Sequence, residues 1–345
     1  MEFSTEYTQL PEAVLNWYDL NKRDLPWRKD REPYHIWVSE IMLQQTRVEA
    51  VKGYYTRFLE KLPTIESLAN ADDELLHKLW EGLGYYSRVR NLKKAAIQIM
   101  QKHEGLFPGE YADVLALPGV GPYTAGAICS ISFNQPTPAV DGNVLRVMSR
   151  ILNDSGNIDE PVTKKRITEF LRGIYPERAG DFTQALMELG ATVCGPNSAP
   201  DCLQCPCKSF CVGFLNGSAE SLPIRSMKKQ RRVEKKTVLI LSSEGQYALI
   251  KRPNRGLLAS MWQFPESEGW LEIEAVIALL ERKGAKIRKI DKLVERKHVF
   301  THIEWHMRGV YLELEDTIPG YTWLDAGKIR SDAALPTAFR LFFDE

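Results

Sequence analysis

Five of the six cysteines in this 345-residue chain, Cys194, Cys202, Cys205, Cys207 and Cys211, fall in one short segment, while Cys129 stands apart in the apolar stretch TAGAICSISF. Disulfide frameworks spread their cysteines through small secreted domains, so this crowding reads instead as a metal centre in a reducing compartment. Cys194, Cys202, Cys205 and Cys211 have the spacing C-x7-C-x2-C-x5-C. Four thiolates on one loop suit tetrahedral zinc or a [4Fe–4S] cluster, and spacing alone leaves both open. A second feature is Leu117-Pro118-Gly119-Val120-Gly121-Pro122-Tyr123, in which two glycines separate a short helix expected over 111–116 from a longer one starting near Pro122. Glycine lets backbone amides come close to a ligand, and proline at a helix start wastes no hydrogen bond. Such amides at a helix N-terminus suit a phosphate, although an isolated G-x-G is more often a plain turn. Asp141 comes twenty residues past Gly121, ahead of the helical pattern Val144, Val147, Met148, Ile151. It suits a helix cap, where a carboxylate is favoured in its ionised form.

The elements that must hold these residues divide the chain in two. From Leu10 to about Met187, apolar residues recur at helical spacing, as in Val38, Ile41, Met42, Gln45 and in Leu75, Leu76, Leu79, Leu83. Residues 213–234, with NGS, a proline and the basic run KKQRR, read as a linker with little to bury. Beyond it, TVLILSSEGQYALIKRP reads as two strands around a turn, IEAVIALLERKGA as a helix and KHVFTHIEWHMRGVYLELE as β-rich sequence, which together make an α+β domain. A composition of 44% hydrophobic and 26% charged residues excludes fibrous and disordered classes. The longest apolar runs, Ala275–Leu280 and Val238–Leu241, are far too short to span a bilayer, so no membrane association is expected. The first twenty residues lack the pattern of a secretory signal, so the expected location is cytoplasmic, on the nucleoid if the source is bacterial. Forty-five basic residues balance 45 acidic ones, so affinity for nucleic acid has to come from a local basic face.

The motifs LPWR (Leu25–Arg28), SEIMLQQTRV (Ser39–Val48), GLGYYSR (Gly82–Arg88), LPGVGPYTAGA (Leu117–Ala127), AVDGNVLRV (Ala139–Val147) and MELGATVC (Met187–Cys194), with the cysteine loop, resemble the adenine DNA glycosylase (MutY) family of the endonuclease III, helix-hairpin-helix superfamily. The resemblance runs over nearly the whole chain. It implies a multidomain protein. An all-α helix-hairpin-helix glycosylase domain covers 1–212, with the hairpin at about 111–132 and an iron–sulfur loop at 194–211. A linker follows at 213–234, and then an α+β Nudix-like C-terminal domain for lesion recognition at 235–345.

The family removes adenine mispaired with 8-oxoguanine or guanine by hydrolysing its N-glycosidic bond. Cutting that bond needs a proton for the leaving base and shelter for an oxocarbenium-like sugar, hence two carboxyl groups in different roles. The resemblance gives Glu40, in the apolar helix HIWVSEIMLQQT, the role of proton donor; burial would favour its protonated form. Asp141 would stabilise or transiently attack the sugar, with Tyr123 and Asn143 assisting. The endonuclease III branch has a Schiff-base lysine where Tyr123 stands, so a monofunctional enzyme that leaves an abasic site is expected. Arg23, Trp27, Arg28 and Val48 would line the adenine pocket. Gln45 and Tyr85 would wedge beside the oxidised guanine while adenine is extruded, with Thr46 and Arg88 close by. Gly119 and Gly121 would hold DNA phosphate, helped by a monovalent cation. Cys194, Cys202, Cys205 and Cys211 would bind the [4Fe–4S] cluster, in a loop whose first interval is one residue longer than the family's and which carries Cys207 as an extra thiol.

In the C-terminal half, GLLASMWQFPE (Gly256–Glu266) is similar to the Nudix strand-turn, but Glu272, Glu274 and Glu281 do not form a hydrolase's acid array, so nucleoside diphosphate hydrolysis is not expected. Phe300, Thr301 and His302 match the loop by which the family senses oxidised guanine, with threonine where serine is common. The expected partner is double-stranded DNA carrying A opposite 8-oxoguanine or guanine, bound by a monomer. Rival readings are a bifunctional enzyme acting on oxidised pyrimidines, a non-catalytic DNA scaffold, and a Nudix hydrolase anchored to DNA.

Overall fold

The computed structural model describes residues 7–196, 199–227 and 230–344. The first part of the chain is helical: α1 Leu10–Asn21, α2 Pro33–Leu43, α3 Val48–Lys61, α4 Ile65–Asn70, α5 Asp73–Leu79, α6 Ser87–Lys102, α7 Tyr111–Leu115, α8 Pro122–Phe133, α9 Gly142–Ile151, α10 Pro161–Arg172, α11 Ala179–Thr192 and the short α12 Val212–Leu215. Proline opens α1, α2, α8 and α10 within their first two positions, where a missing N–H costs nothing. The helices α1, α2, α8, α9 and α11 pack on one another. The core between α1, α9, α10 and α11 is built from Leu10, Val14, Val144, Val147, Met148, Ile167, Leu171, Phe182, Leu186 and Leu189. No helix among the described residues is long and apolar enough to cross a membrane.

The C-terminal part holds β1 Arg232–Ser243, β2 Gln246–Lys251, β3 Trp262–Gln263, β4 Glu266–Glu268, α13 Ile273–Glu281, β5 Ile287–Val299, β6 Ile303–Leu314, β7 Thr322–Asp325, α14 Ala326–Ser331 and α15 Thr337–Phe343. The expected two strands around a turn are β1 and β2, antiparallel, joined at Glu244-Gly245, both with positive φ. The sheet order is β3-β2-β1-β6-β5, with β4 on β1 and β7 on β2, and the β1–β6 pair is parallel. Period-two alternation sends Val238 and Ile240 to one face, against Ile329, Phe339 and Phe342 around α14 and α15. Leu239 and Leu241 point to the other face, against Val276 and Leu280 of α13. A strand buried on both faces reads as an unbroken apolar run, which is why VLIL carries no visible alternation.

Two boundaries differ from the sequence expectation. The chain forms one compact unit from Met1–Asn70 with Asn91–Met227 and another from Ala71–Arg90 with Lys228–Glu345. Residues 71–90, expected inside the helical domain, are therefore joined to the sheet unit. There Glu74 accepts from Trp262 Nε1 at 3.2 Å, Glu81 from the Leu335 amide at 2.9 Å, and Arg90 donates to the Ala259 carbonyl at 3.1 Å. Such long-range polar pairs leave no local pattern. The expected linker 213–234 is also shorter than its composition implies. Helix α12 packs on α9, Ala219 and Leu222 are buried, and their carbonyls accept from Arg150 Nε at 2.8 and 3.0 Å. Lys228 and Lys229 of the basic run lie outside the described residues.

Candidate active site

Helices α2, α8 and α9 bring the two expected carboxyl groups to one place. Glu40 is buried near the end of α2, and Asp141 is the N-cap of α9. Both line the same small pocket of about 170 Å³, together with Arg23, Trp27, Arg28, Ser39, Thr46, Val48, Tyr123, Asn143, Gln184 and Glu188. The Tyr123 hydroxyl, from the first turn of α8, donates to Glu40 Oε2 at 2.5 Å. Burial raises the Glu40 carboxyl to about 7, the Tyr123 hydrogen bond opposes that rise, and the nearby Asp141 charge reinforces it. Tyr123 is itself held well above the usual phenol value by burial and by the charges of Glu40 and Asp141.

Asp141 answers to opposing influences. Its oxygens accept from the Val144 amide at 2.8 Å and from Asn143 Nδ2 at 2.7 Å, and these donors, with the Arg146 charge, favour the carboxylate. Burial outweighs them, so its pKa lies above the ordinary Asp value, contrary to what capping alone implies. The expectation that Asp141 stays ionised is thus supported by these donors and opposed by burial.

Glu188 on α11 was missed as a site residue, although it sits inside the MELGATVC motif. It is 1% exposed and accepts from Arg23 Nε at 2.6 Å, Arg23 Nη2 at 2.9 Å, the Arg23 amide at 3.1 Å and Arg28 Nη2 at 2.8 Å. Those donors bring its pKa down to about 2 against the opposing pull of burial. Arg23 and Arg28 are thereby tied to the pocket wall, and Trp27, packed edge-on against Tyr55 at 5.6 Å, is both wall and core.

The hairpin follows the expected form, α7–turn–α8, and its two glycines differ in kind. Gly119 has φ of +79°, and a Cβ there would stand 2.7 Å from Asn91 Cβ, so glycine is required by the fold. Gly121 has an ordinary φ of −103°, and a Cβ would meet nothing within 4 Å. It opens onto a larger groove of about 1030 Å³ that shares Tyr123 and Asp141 with the pocket.

The expected wedge residues sit on turns. Helix α2 ends at Leu43, so Gln45 does not lie on an apolar stripe as its spacing implied. It is exposed at φ +61°, and it is Gln44 that bonds inward, to Thr124 Oγ1 at 3.3 Å. In the sheet unit Tyr85 is 47% exposed at φ +49° and its hydroxyl hydrogen-bonds Thr301 Oγ1. Left-handed backbone at bulky residues is uncommon and marks sites where geometry is dictated by something other than local preference. Phe300 packs edge-on against Trp305 at 4.8 Å and against His298 at 4.6 Å, whereas Thr301 and His302 are exposed. Arg88, expected close to the wedge residues, lies with its guanidinium over the Tyr85 ring at 5.5 Å. Its buried guanidinium donates to the Leu83 and Gly84 carbonyls at 3.1 and 3.0 Å and lies over Trp80, so it supports the Tyr85 turn from behind. Burial brings its pKa down to about 10.

Cys194, Cys202, Cys205 and Cys211 line one cavity with Val147, Arg150, Ile151 and Leu189, whereas Cys207 is fully buried and is not among its lining residues. Arg150 Nη1 donates to Cys194 Sγ at 3.2 Å, and Arg146 Nε to the Cys194 carbonyl at 2.8 Å. Burial pushes the Cys194 thiol up and the Arg150 guanidinium opposes that rise. Four cysteines lining one cavity are the donor set of a four-thiolate metal centre. Among the described residues, however, no three His, Cys, Asp or Glu groups stand in metal-binding array. Arg146 and Arg150 belong to the helix that Asp141 caps, so the cysteine loop and the carboxylate share one support.

Fold and site together define a base-excision DNA glycosylase. Residues 38–173 match the HhH-GPD superfamily base excision DNA repair protein, and residues 237–345 match the NUDIX domain. The chain is 36% identical to the adenine DNA glycosylase of Homo sapiens over 98% of its own length and 74% of that protein. It is 38% identical to that of Arabidopsis thaliana over 90% of its length, spanning 58% of the plant protein. A solved thermostable thymine-DNA glycosylase superposes with a TM-score of 0.57 at 27% identity, over 63% of this chain and all of that one. The chain belongs to the adenine DNA glycosylase family.

Proposed function

We propose that this protein is a monofunctional glycosylase that extrudes adenine paired with 8-oxoguanine or guanine and hydrolyses its N-glycosidic bond, leaving an abasic site. The observation that carries the reading is the convergence of Glu40 and Asp141 on one pocket, with Glu40 raised to about 7 and bonded by Tyr123. At neutral pH a good part of Glu40 is protonated and donates to the departing base. Asp141, oriented by the Val144 amide and Asn143, faces the cation that develops on the sugar. Tyr123 has no amine, so no imine with the sugar forms at this place and the strand stays intact. Tyr85 and Thr301 carry recognition of the opposite base, Gln45 props the stack, and the hairpin amide opened by Gly121 takes a phosphate, with a monovalent cation sharing that site.

Cys194, Cys202, Cys205 and Cys211 hold a [4Fe–4S] cluster, with Cys207 as a packing thiol outside it. Once bound, such a group supplies a rigid covalent cross-link among the four ligands. This chain's own contribution is the Arg146 and Arg150 bracing of that loop against α9. The protein acts where DNA meets a reducing cytoplasm, in which these cysteines do not pair as disulfides.

The test is one gel. Duplexes with A opposite 8-oxoguanine, thymine glycol, or no lesion are incubated with the protein and run with and without alkali. Strand breaks only after alkali, and only on the adenine strand, are expected. Breaks without alkali, or cleavage at thymine glycol, would overturn the reading. Absorbance near 400 nm from the pure protein is expected of the cluster; a colourless, zinc-loaded protein would contradict it.

A further inference from the structure

The open groove beside the pocket has a wall that the catalytic account does not use. Helix α10 buries Thr163, Ile167 and Leu171 in the core, and its next stripe, Lys164, Thr168 and Arg172, lines the groove at helical i, i+4, i+8 spacing. Lys164 and Arg172 are exposed, and among the described residues neither side chain makes an ion pair or hydrogen bond.

A third cation arrives from the far end of this unit's chain. The Ile224 carbonyl accepts from the Ile158 amide at 3.0 Å, the Ser226 amide donates to Asp159 Oδ2 at 3.0 Å, and Asn157 Nδ2 donates to Ser226 Oγ at 2.8 Å. These three bonds strap segment 224–226 along loop 157–159. The strap delivers Arg225 to the groove, with its Nη2 3.9 Å from where a Gly142 Cβ would stand, next to Asp141. Arg225 also lacks a carboxylate partner among the described residues, although Asp159 lies beside it; that carboxylate is engaged by the Ser226 amide. Three unpaired cations thus face a groove that shares Tyr123 and Asp141 with the base pocket and has the open Gly121 turn in its lining.

We propose that this groove binds the sugar–phosphate backbone flanking the extruded nucleotide, with Arg225 on the phosphate nearest Asp141 and with Lys164 and Arg172 continuing along the same strand. From Lys164 to Arg172 the helix rises about 12 Å, a length over which one DNA strand carries roughly three to four phosphates. The strap makes Arg225 a positioning residue: it fixes the sugar of the target nucleotide over Asp141 by holding its neighbouring phosphate. This inference rests on the glycosylase reading for the identity of the strand, but its binding test does not need catalysis.

The experiment measures affinity for an undamaged duplex between about 50 and 200 mM salt for wild type, Arg225→Gln, Arg225→Lys, Lys164→Gln and Arg172→Gln. The same proteins are then assayed for single-turnover adenine release. Each glutamine variant is expected to flatten the slope of log affinity against log salt by about one, and Arg225→Lys to keep the wild-type slope. Arg225→Gln is expected to slow adenine release by about tenfold, more than the other two, with an unchanged unfolding temperature. A wild-type slope in Arg225→Gln would overturn the proposal, as would a flattened slope with an unaltered release rate. A wild-type protein that releases no adenine would sink the glycosylase reading while leaving the slopes to judge the groove.

Discussion

The Glu40 pocket and the Tyr85–Thr301 turn solve opposite problems. In the pocket the Glu40 carboxyl is 5% exposed and is bonded by a tyrosine that is itself held protonated by burial, so its proton affinity is set chiefly by burial. At the turn, Tyr85 and Thr301 are exposed and hydrogen-bonded to each other, and Tyr85 is held in left-handed backbone with Arg88 braced behind it. Chemistry on a base needs a perturbed acid, which the burial of Glu40 and the neighbouring Asp141 charge supply. Reading a base needs reach and a fixed direction, which a braced turn supplies. The two regions should therefore fail differently when cut.

The largest effect is expected from Glu40→Gln, which removes the proposed proton donor and should lower single-turnover adenine release by about 10³-fold with little change in affinity for the mismatch. A loss of binding to match the loss of rate would erase the contrast between the regions. Next comes the ion cluster behind the pocket. Glu188→Gln leaves Arg23 and Arg28 without their carboxylate and should cost about 3 kcal/mol in denaturant unfolding. The sign follows from the pKa: Glu188 falls to about 2 on folding, so its stabilisation is present above the ordinary Glu value and is lost as the solution is acidified toward pH 2. Stability of wild type should drop over that window, and that of the variant should drop less.

Tyr123→Phe should slow release by about tenfold to a hundredfold. It should also move the pH dependence upward, because the hydrogen bond it deletes is the influence that lowers Glu40. The smallest effect is expected at the turn. Thr301→Ala removes one hydrogen-bonding hydroxyl worth about 1 kcal/mol and should reduce the preference for 8-oxoguanine over guanine opposite adenine about fivefold, while release from A opposite guanine stays unchanged. A fall in both rates alike would mean that the turn serves folding and not discrimination.

The sequence made the Asp141 cap, the hairpin and the strand-turn-strand of β1 and β2 legible because each rests on local chemistry: a cap ahead of an apolar period, glycines between helices, a Glu-Gly turn between apolar runs. Glu40 had no such local mark and was singled out only by the family resemblance. Glu188 was hidden because its meaning lies in Arg23 and Arg28, some 160 residues away and visible only once α11 packs beside the LPWR turn. Gln45 was misjudged because its spacing continued a helix that stops at Leu43. Residues 71–90 read as one more helical segment, and nothing local shows that Glu74 and Glu81 bond to Trp262 and Leu335. Composition alone made 213–222 look loose, whereas Arg150 needs its carbonyls.

The most direct test is the rate of single-turnover adenine release from an A opposite 8-oxoguanine duplex, measured across pH. With Glu40 as the acid, the rate should hold below its pKa and fall as pH rises through about 7, and in Tyr123→Phe the fall should begin at a higher pH. A rate indifferent to pH through that range, or a descending limb that Tyr123→Phe leaves in place, would mean that the proton comes from another group.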